Sequence, residues 1–138
     1  MYTDLELIQL AKEARLNAYT PYSHFQVGAA LLTADGTVIK GCNIENATYT
    51  PTICAERTAF FKAVSEGYKE FVAIAIVGAK EGEEPDETCP PCGVCRQVMQ
   101  EFCDPETFRI ILADKENGSI SILLKNMLPY GFDMSFLR

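Results

Sequence analysis

Residues 71–79 read FVAIAIVGA, an uninterrupted apolar run in the middle of the chain. Its length and its content of valine and isoleucine are typical of a strand that is buried on both faces. Helical patterns lie on either side of it, and we predict helices from about Ile53 to Glu66 and from about Pro91 to Phe102. The run therefore predicts a central strand that is covered by helices.

The N-terminal part of the sequence predicts a helix followed by a β-hairpin. Thr3 and Glu6 form a capping-box signature, and apolar residues then recur at helical spacing, which predicts a first helix over residues 4–18. Strand-like runs at 26–34 and 37–44 flank an Asp-Gly pair, the typical turn of a two-stranded hairpin.

The C-terminal part predicts two more strands, at 107–113 and 119–124, whereas residues 125–138 show no clear period. Strands that alternate with helices after a hairpin favour a mixed sheet with helices on its faces. We therefore expect a single domain over residues 1–138 of the α/β class, a three-layer α/β/α sandwich around a mixed five-stranded sheet.

Composition narrows the classes of function. The chain has 138 residues and a formal net charge of −7, so the phosphates of nucleic acids and anionic membrane surfaces would repel it. Residues 1–10 lack a basic signal region, and no apolar run is long enough to span a membrane, so we expect a cytoplasmic protein. Disulfides are rare in the cytosol, and the six cysteines are therefore expected to be thiols or metal ligands.

Two short segments carry the residues suited to chemistry: TICAER at 52–57 and CPPCGVCR at 89–96. Each puts a cysteine at the start of a predicted helix, where unpaired N–H groups and the helix dipole favour a thiolate. Cys92 and Cys95 are three residues apart and share a helix face, and Cys54 adds a third sulfur from the other helix. Three protein ligands with an open fourth position are the pattern of a catalytic zinc, although Cys-x-x-Cys alone also fits a redox dithiol or half of a structural zinc site.

Cys54 and Glu56, followed about 36 residues later by Pro-Cys-x-x-Cys, match the zinc deaminase signature. Beyond this signature, most of the chain resembles the small, homotetrameric, zinc-dependent cytidine deaminases. The stretches that carry the resemblance are PYSHFQVGAALL at 21–32, GCNIENATY at 41–49, CAERTAFFKAVSEG at 54–67, PCGVCRQV at 91–98 and LPYGF at 128–132.

The resemblance implies a role for particular residues. One Zn²⁺ per chain would be held by Cys54, Cys92 and Cys95, and Glu56 would be the catalytic carboxylate. It also implies a set of residues that contact the nucleoside, within the same chain Phe25, Asn43, Glu45 and Ala55, and from a neighbouring subunit of a homotetramer Ala47, Tyr49 and Phe132.

The reaction expected from this resemblance is the hydrolytic deamination of cytidine and 2′-deoxycytidine to uridine and 2′-deoxyuridine plus ammonia, a step of pyrimidine salvage. Zinc lowers the pKa of a bound water from 15.7 towards about 7, and the resulting hydroxide attacks C4 of cytosine. We expect Glu56 to move the protons, first to N3 and then to the departing amino group.

Charge arithmetic adds one further prediction. Three thiolates on Zn²⁺ leave a net charge of −1, which makes a bound water less acidic, so a positive group is needed nearby. Arg57 directly follows Glu56, and we predict that it donates hydrogen bonds to the ligand sulfurs.

Two polar residues at a strand end bear on the type of substrate. Asn43 and Glu45 are two apart at a strand end and point to the same side, where an amide and a carboxylate suit sugar hydroxyls and favour a nucleoside over a free base.

Cys89 departs from the family pattern. It precedes two prolines that force an extended backbone, so we expect a loop thiol without a role rather than a ligand in place of Cys92 or Cys95. His24, the only histidine, is expected to be exposed, and Cys42 and Cys103 to be small core residues.

Other functions remain open from the sequence. A blasticidin-type aminonucleoside deaminase shares the PCGxCRQ segment, but Asn43 and Glu45 count against it. A polynucleotide-editing deaminase fits poorly with the short, acidic chain. A non-catalytic zinc-binding module would leave Glu56 and the open fourth position without a use.

Overall fold

A mixed five-stranded sheet forms the centre of the computed structural model, which describes all 138 residues. The strands lie in the order β2-β1-β3-β4-β5; β3 and β4 are parallel, and all other neighbours are antiparallel. The chain order is α1 (Asp4–Arg15), β1 (Phe25–Thr33), β2 (Val38–Cys42), α2 (Ala55–Ser65), β3 (Phe71–Lys80), α3 (Gly93–Phe102), β4 (Arg109–Asp114), β5 (Gly118–Leu123), α4 (Leu124–Met127) and a 3₁₀ turn (Met134–Leu137).

Strand β3 contains the apolar run and is buried on both faces, as predicted. Its side chains alternate between two cores because successive residues of a strand point to opposite faces. Ile74 and Ile76 belong to the core beneath α2 and α3, whereas Ala73 and Val77 belong to the core beneath α1. The small alanines of this second core allow α1 to approach the sheet closely.

The core beneath α2 and α3 contains a cluster of aromatic rings around Phe60 of α2. Its ring centroid lies 5.2 Å from that of Phe71, 6.2 Å from that of Phe102 and 6.1 Å from that of Phe108. Phe60 belongs to α2 and Phe102 to α3, whereas Phe71 begins β3 and Phe108 directly precedes β4. The contacts between these rings hold α2 and α3 side by side. As a result, the N-terminal ends of the two helices lie next to each other.

The opposite face of the sheet is covered by α1 alone. Leu7, Ile8 and Ala11 face the sheet and are buried. Gly28 of β1 permits the close contact, because a Cβ atom there would lie 2.0 Å from the carbonyl oxygen of Ala11 and 2.8 Å from Cβ of Arg15. One layer is α1, the second is the sheet, and the third contains α2 and α3. This arrangement confirms the predicted three-layer α/β/α sandwich with a mixed five-stranded sheet.

The element boundaries differ from the prediction where local capping decides them. Helix α1 ends at Arg15 rather than residue 18, because the next three residues form the tighter i→i−3 hydrogen bonds of a turn. Helices α2 and α3 each begin later than predicted, since Cys54 and Cys92 are extended N-cap residues that precede the first helical residue. The segment without a sequence period, 125–138, forms most of a short helix and a 3₁₀ turn. None of the helices combines the length and apolar character needed to cross a membrane.

Candidate metal centre and active site

Three cysteine sulfurs meet where the N-terminal ends of α2 and α3 lie side by side. Cys54 caps α2, Cys92 caps α3, and Cys95 lies in the first turns of α3. The Sγ atoms of Cys54 and Cys92 are 3.7 Å apart, those of Cys92 and Cys95 are 3.5 Å apart, and all three lie within 4.8 Å of one another. The helical spacing thus brings together the three residues that the sequence singled out.

The geometry of this cluster fits a zinc ion. Zn–S bonds are about 2.3 Å long, so two sulfurs of a tetrahedral site lie about 3.8 Å apart. The two separations given above are close to that value, and Cys89 does not belong to the cluster. The donor set is therefore three sulfurs, which suits Zn²⁺.

The surroundings of the cluster favour a negative sulfur. The pKa of Cys54 is lowered to about 5, chiefly because the Cys95 thiol donates a hydrogen bond to its sulfur, with Arg57 and Cys92 adding to the effect. The same contact, together with burial, raises the pKa of Cys95 above its ordinary value. The sulfur of Cys54 is therefore the one that its neighbours favour as a thiolate, the form that binds a metal ion.

Arg57 lies where the charge arithmetic predicts a cation. Its Nη2 donates to the sulfur of Cys54 at 3.3 Å, and this hydrogen bond raises the pKa of the guanidinium above its usual value. Its Nε is buried and has no hydrogen-bond partner in the chain. A permanent positive charge therefore lies against the sulfur cluster.

Glu56 follows Cys54 by two residues and is buried beside the cluster, with 4% of its surface exposed. It is not among the residues whose ligand atoms form the three-sulfur group. Burial raises its pKa to about 7, and the negative charge of Cys54 acts in the same direction. A carboxyl group with this pKa can both accept and release a proton near neutral pH.

A cavity of about 190 Å³ opens onto Glu56, Cys54 and Cys92. Asn43 also lines it, so its amide faces the same space as the carboxyl group of Glu56 and the two sulfurs. The walls between them are apolar and are formed by Val27, Ile53, Ala55 and Ile76. The cavity therefore combines apolar walls with the polar groups of Asn43, Glu56 and the two cysteines.

Cys89 lies in the wall of this cavity, which its sequence interpretation as a loop thiol did not foresee. Burial raises its pKa to about 11, and the charges of Glu56 and Cys54 act in the same direction, so the thiol stays protonated at neutral pH. A Cβ atom at Gly78 would lie 2.7 Å from its sulfur, which means that the absent side chain of Gly78 makes room for it. A protonated, half-buried thiol is a poor competitor for a metal ion.

Asn43 reaches the cavity from the end of the hairpin. Its Oδ1 accepts a hydrogen bond from the backbone N–H of Val27, and its Nδ2 donates to the carbonyl of Phe25, both at 2.9 Å. One amide hydrogen and one lone pair remain for a ligand. The sequence placed Asn43 correctly at a strand end but gave no sign that its amide binds strand β1.

Glu45 faces the turn that precedes β1. Its carboxylate accepts hydrogen bonds from the backbone N–H groups of Tyr22 and Ser23 at 3.0 and 3.1 Å and from the Ser23 hydroxyl. The hydroxyl of Ser23 is the main reason that the pKa of Glu45 is lowered, so the group is anionic at neutral pH. Asn43 and Glu45 therefore both bind the backbone between residues 22 and 27.

Ala55 lines this cavity, whereas Glu45 and the remaining residues implied by the resemblance do not. Phe25 lines a larger cavity that shares Cys89 and Pro90 with it. Ala47 and Tyr49 belong to the exposed segment between β2 and α2, where Tyr49 has a positive φ of 67°. Phe132 is 55% exposed and stacks on Phe136 with ring centroids 5.1 Å apart. These aromatic side chains point to solvent in the single chain.

The predictions for the remaining single residues are mixed. His24 is exposed, as expected, and its Nδ1 lies 3.6 Å from a carboxylate oxygen of Glu81. Cys103 belongs to the core beneath α2 and α3, whereas Cys42 is only partly buried. Neither of these two cysteines takes part in the sulfur cluster.

Comparisons with known proteins agree with this arrangement. Residues 1–110 match the family described as the cytidine and deoxycytidylate deaminase zinc-binding region. A cytidine deaminase of Halalkalibacterium halodurans is 51% identical over 126 residues, 91% of this chain and 91% of that protein. The crystal structure of a cytidine deaminase from Burkholderia pseudomallei has a TM-score of 0.84 at 47% identity, covering 95% of this chain and 100% of that one. A blasticidin-S deaminase of Bacillus cereus is 32% identical over 129 residues, 91% of this chain and 89% of that protein.

Proposed function

The chain belongs to the family of zinc-binding cytidine and deoxycytidylate deaminases, and from that premise we propose that it hydrolyses cytidine and 2′-deoxycytidine to uridine and 2′-deoxyuridine plus ammonia. It is a zinc-dependent hydrolase of a pyrimidine nucleoside. The observation that carries the proposal is the buried carboxyl group of Glu56 beside three sulfurs, in a cavity that Asn43 also lines. The proposed proton carrier, two of the proposed metal ligands and an amide that can bind the substrate thus line one small cavity.

We propose Cys54, Cys92 and Cys95 as the ligands of one Zn²⁺ per chain. Their sulfur separations suit a tetrahedral ion, and the positive charge of Arg57 offsets part of the charge of three thiolates. Zinc bound there would supply Lewis-acid activation of a water molecule at neutral pH. Arg57 acts on this step only through the sulfurs.

Glu56 carries the protons of the proposed reaction. Its carboxylate takes a proton from the attacking water and gives it to N3 of the cytosine ring as the C4–O bond forms. It then takes the second proton from the new C4 hydroxyl and delivers it to the amino group, which leaves as ammonia when the C4–N bond breaks and the C4=O bond forms. A pKa of about 7 matches both directions of transfer, because proton transfer is most efficient when the pKa lies near the working pH.

In the proposed complex the base occupies the cavity, and the sugar lies between Asn43, in its wall, and Glu45, outside it. The backbone N–H of Ala55, at the first turn of α2, lacks an intrahelical acceptor and suits the O2 oxygen of the base. The remaining donor and acceptor of Asn43 and the anionic carboxylate of Glu45 suit the sugar hydroxyls. In this assignment the base lies between apolar walls, with Phe25 at the outer rim.

We further propose a homotetramer with shared active sites in the cytoplasm, each subunit a single domain over residues 1–138. Tyr49 is 72% exposed, and Phe132 and Phe136 form an exposed stacked pair, which are the kinds of apolar surface that subunit contacts cover. In this assembly Ala47, Tyr49 and Phe132 reach the pocket of a neighbouring subunit. Free thiols and an acidic surface agree with a cytoplasmic location.

Two other functions compete with the proposal. The relationship to a blasticidin-S deaminase supports an aminonucleoside as the alternative substrate. The polar pair at the sugar end of the site, Asn43 and Glu45, favours the pyrimidine nucleoside instead. A non-catalytic zinc-binding module would have no use for a carboxyl group that burial keeps near a pKa of 7.

The decisive assay uses the purified, zinc-loaded protein with cytidine, 2′-deoxycytidine, blasticidin S and a cytosine-containing oligonucleotide, each in a separate reaction. Ammonia release and the ultraviolet change from cytosine to uracil are followed. We expect turnover of both nucleosides and none of the oligonucleotide. Turnover of blasticidin S alone would establish the aminonucleoside alternative, and inactivity towards all four compounds would contradict the proposal.

Phe132→Ala is expected to lower kcat/KM for cytidine roughly tenfold, because an aromatic contact in a shared pocket is worth about 1.4 kcal/mol. The sharper test mixes this variant with Glu56→Gln under conditions that allow subunits to exchange. A site built from the Glu56 of one subunit and the Phe132 of its neighbour is intact in such a mixture, so part of the activity should return. A monomeric Phe132→Ala protein with full activity would contradict the shared pocket.

A further inference from the structure

Arg15, in the last turn of α1, is buried with 5% of its surface exposed and takes part in no ion pair. Its guanidinium instead donates to four backbone carbonyls. Its Nε donates to the carbonyl oxygen of Gln26 at 3.0 Å. Its Nη2 lies within hydrogen-bond distance of three more carbonyl oxygens, at 3.1, 2.8 and 3.1 Å, those of Ala79, Lys80 and Glu83. A buried arginine devoted to carbonyls fixes backbone, since each buried carbonyl left without a donor is costly.

Three of these carbonyls belong to the ends of β1 and β3, and that of Glu83 belongs to the turn that follows β3. In the antiparallel β1–β3 pair, Phe25 is opposite Lys80 and Gln26 is opposite Ala79. Arg15 therefore joins both strands at their last pairs and adds the turn that follows β3. The approach is possible because α1 lies directly against Gly28 of β1.

The turn after β3 in turn holds the backbone before β1. The N–H of Glu81 donates to the carbonyl of His24 at 2.8 Å, and the Glu81 carboxylate accepts from the Thr20 hydroxyl at 3.1 Å. His24 has a φ of 57°, a left-handed conformation that a residue with a side chain keeps only when its surroundings enforce it. The hydrogen bond from Glu81 is one of the contacts that enforce it.

Residues 22–27, which we call the 22–27 segment, are thus held from two sides. Asn43, which lines the cavity, binds its backbone at one end, and Glu45 binds its backbone at the other. Arg15 holds it from the opposite side, directly at Gln26 and indirectly through the turn at Glu81. The orientation of the amide and the carboxylate consequently depends on where the 22–27 segment lies.

We propose that Arg15 is a positioning residue for sugar recognition: through the 22–27 segment it sets the orientation of Asn43 and Glu45. This role rests on the proposed function, in which that pair binds the sugar. Arg15 belongs to α1 on one face of the sheet, whereas Glu56 and the three sulfurs lie at α2 and α3 on the other face. Loss of the guanidinium should therefore weaken binding of the nucleoside and leave the chemical step unchanged.

The test compares Arg15→Met, which keeps the length of the side chain, with the wild-type protein. We expect KM for cytidine and Kd for uridine, measured by calorimetry, to rise about tenfold, with kcat within twofold and one zinc per chain. Arg15→Lys retains a single donor group and should give an intermediate rise of about threefold. It also provides the test if the methionine variant does not fold.

Leu7→Ala is the matched control, since Leu7 is a fully buried residue of the same helix that makes no contact with the strand ends through hydrogen bonds. It should lower Tm and leave KM and Kd unchanged, because a cavity in the core weakens packing without moving the 22–27 segment. If both Arg15 variants behave in the same way, lowering Tm alone, the positioning role is wrong.

A double-mutant cycle separates positioning from general weakening. If Arg15 acts through Asn43 and Glu45, then Arg15→Met added to the Asn43→Ala/Glu45→Ala double variant should change Kd for uridine less than twofold further. A larger further change would overturn the proposal. A wild-type protein that neither deaminates cytidine nor binds uridine would instead contradict the proposed function itself.

Discussion

Glu56→Gln is expected to retain one zinc per chain and to lose about 10²- to 10⁴-fold in kcat, the range that a general acid–base residue contributes. Glutamine has the same shape and volume, so the cavity and the sulfur cluster stay as they are. What disappears is the exchangeable proton, since an amide neither accepts a proton from water nor delivers one to the leaving group. The loss should appear in kcat, because Glu56 works on bonds that change during the reaction.

Metal analysis and steady-state kinetics on the same preparation check this result. Glu66→Gln serves as the control, because Glu66 is an exposed carboxylate at the other end of α2 and its replacement should leave both readings unchanged. Loss of zinc from Glu56→Gln would show that the carboxyl group is a metal ligand. Retention of wild-type kcat would remove Glu56 from the mechanism.

Cys95→Ala is expected to lose zinc on dialysis and to lose turnover down to background. Cys95 is fully buried, so its sulfur cannot be replaced by a water molecule from the surface without a rearrangement of α3. Two remaining sulfurs from different helices hold the ion much less tightly than three. Tm should fall as well, because a ligand present at 1,000 times its Kd stabilises the folded state by about 4 kcal/mol.

Cys103→Ala is the matched control for this change. Cys103 is a buried thiol at the end of the same helix, outside the sulfur cluster, so its variant should lose some stability but keep one zinc and full kcat. Treating the wild-type protein with a strong chelator should lower Tm by an amount similar to that of Cys95→Ala. A Cys95→Ala protein that retains a full equivalent of zinc would contradict the assignment.

The sequence was sufficient for those parts of the molecule that depend on local patterns. The apolar run at 71–79 identified the central strand because continuous burial leaves a plain trace in composition. The helical spacing of Cys92 and Cys95 predicted that these two sulfurs share a helix face, and the resemblance to the zinc deaminases singled out Cys54 as the third. The strand and the shared helix face need only short-range geometry.

Parts that depend on contacts between side chains and distant backbone could not be predicted. No sequence pattern indicates that Asn43 and Glu45 bind residues 22–27, or that Arg15 gathers four carbonyls from three segments. The position of Cys89 is a similar case. It lies before α3, as its neighbouring prolines predicted, but only Gly78, eleven residues earlier, explains how its sulfur reaches the cavity wall.

The two faces of the sheet divide the proposed work of this enzyme. Proton transfer and metal binding belong to α2 and α3, whereas the orientation of the sugar readers depends on the hairpin and on α1 behind it. Substitutions in one half need not disturb the other, so natural variation can alter what the enzyme recognises while the reactive centre is inherited unchanged. Such a division offers a physical route by which one ancestral deaminase could give rise to descendants with different amine-bearing substrates.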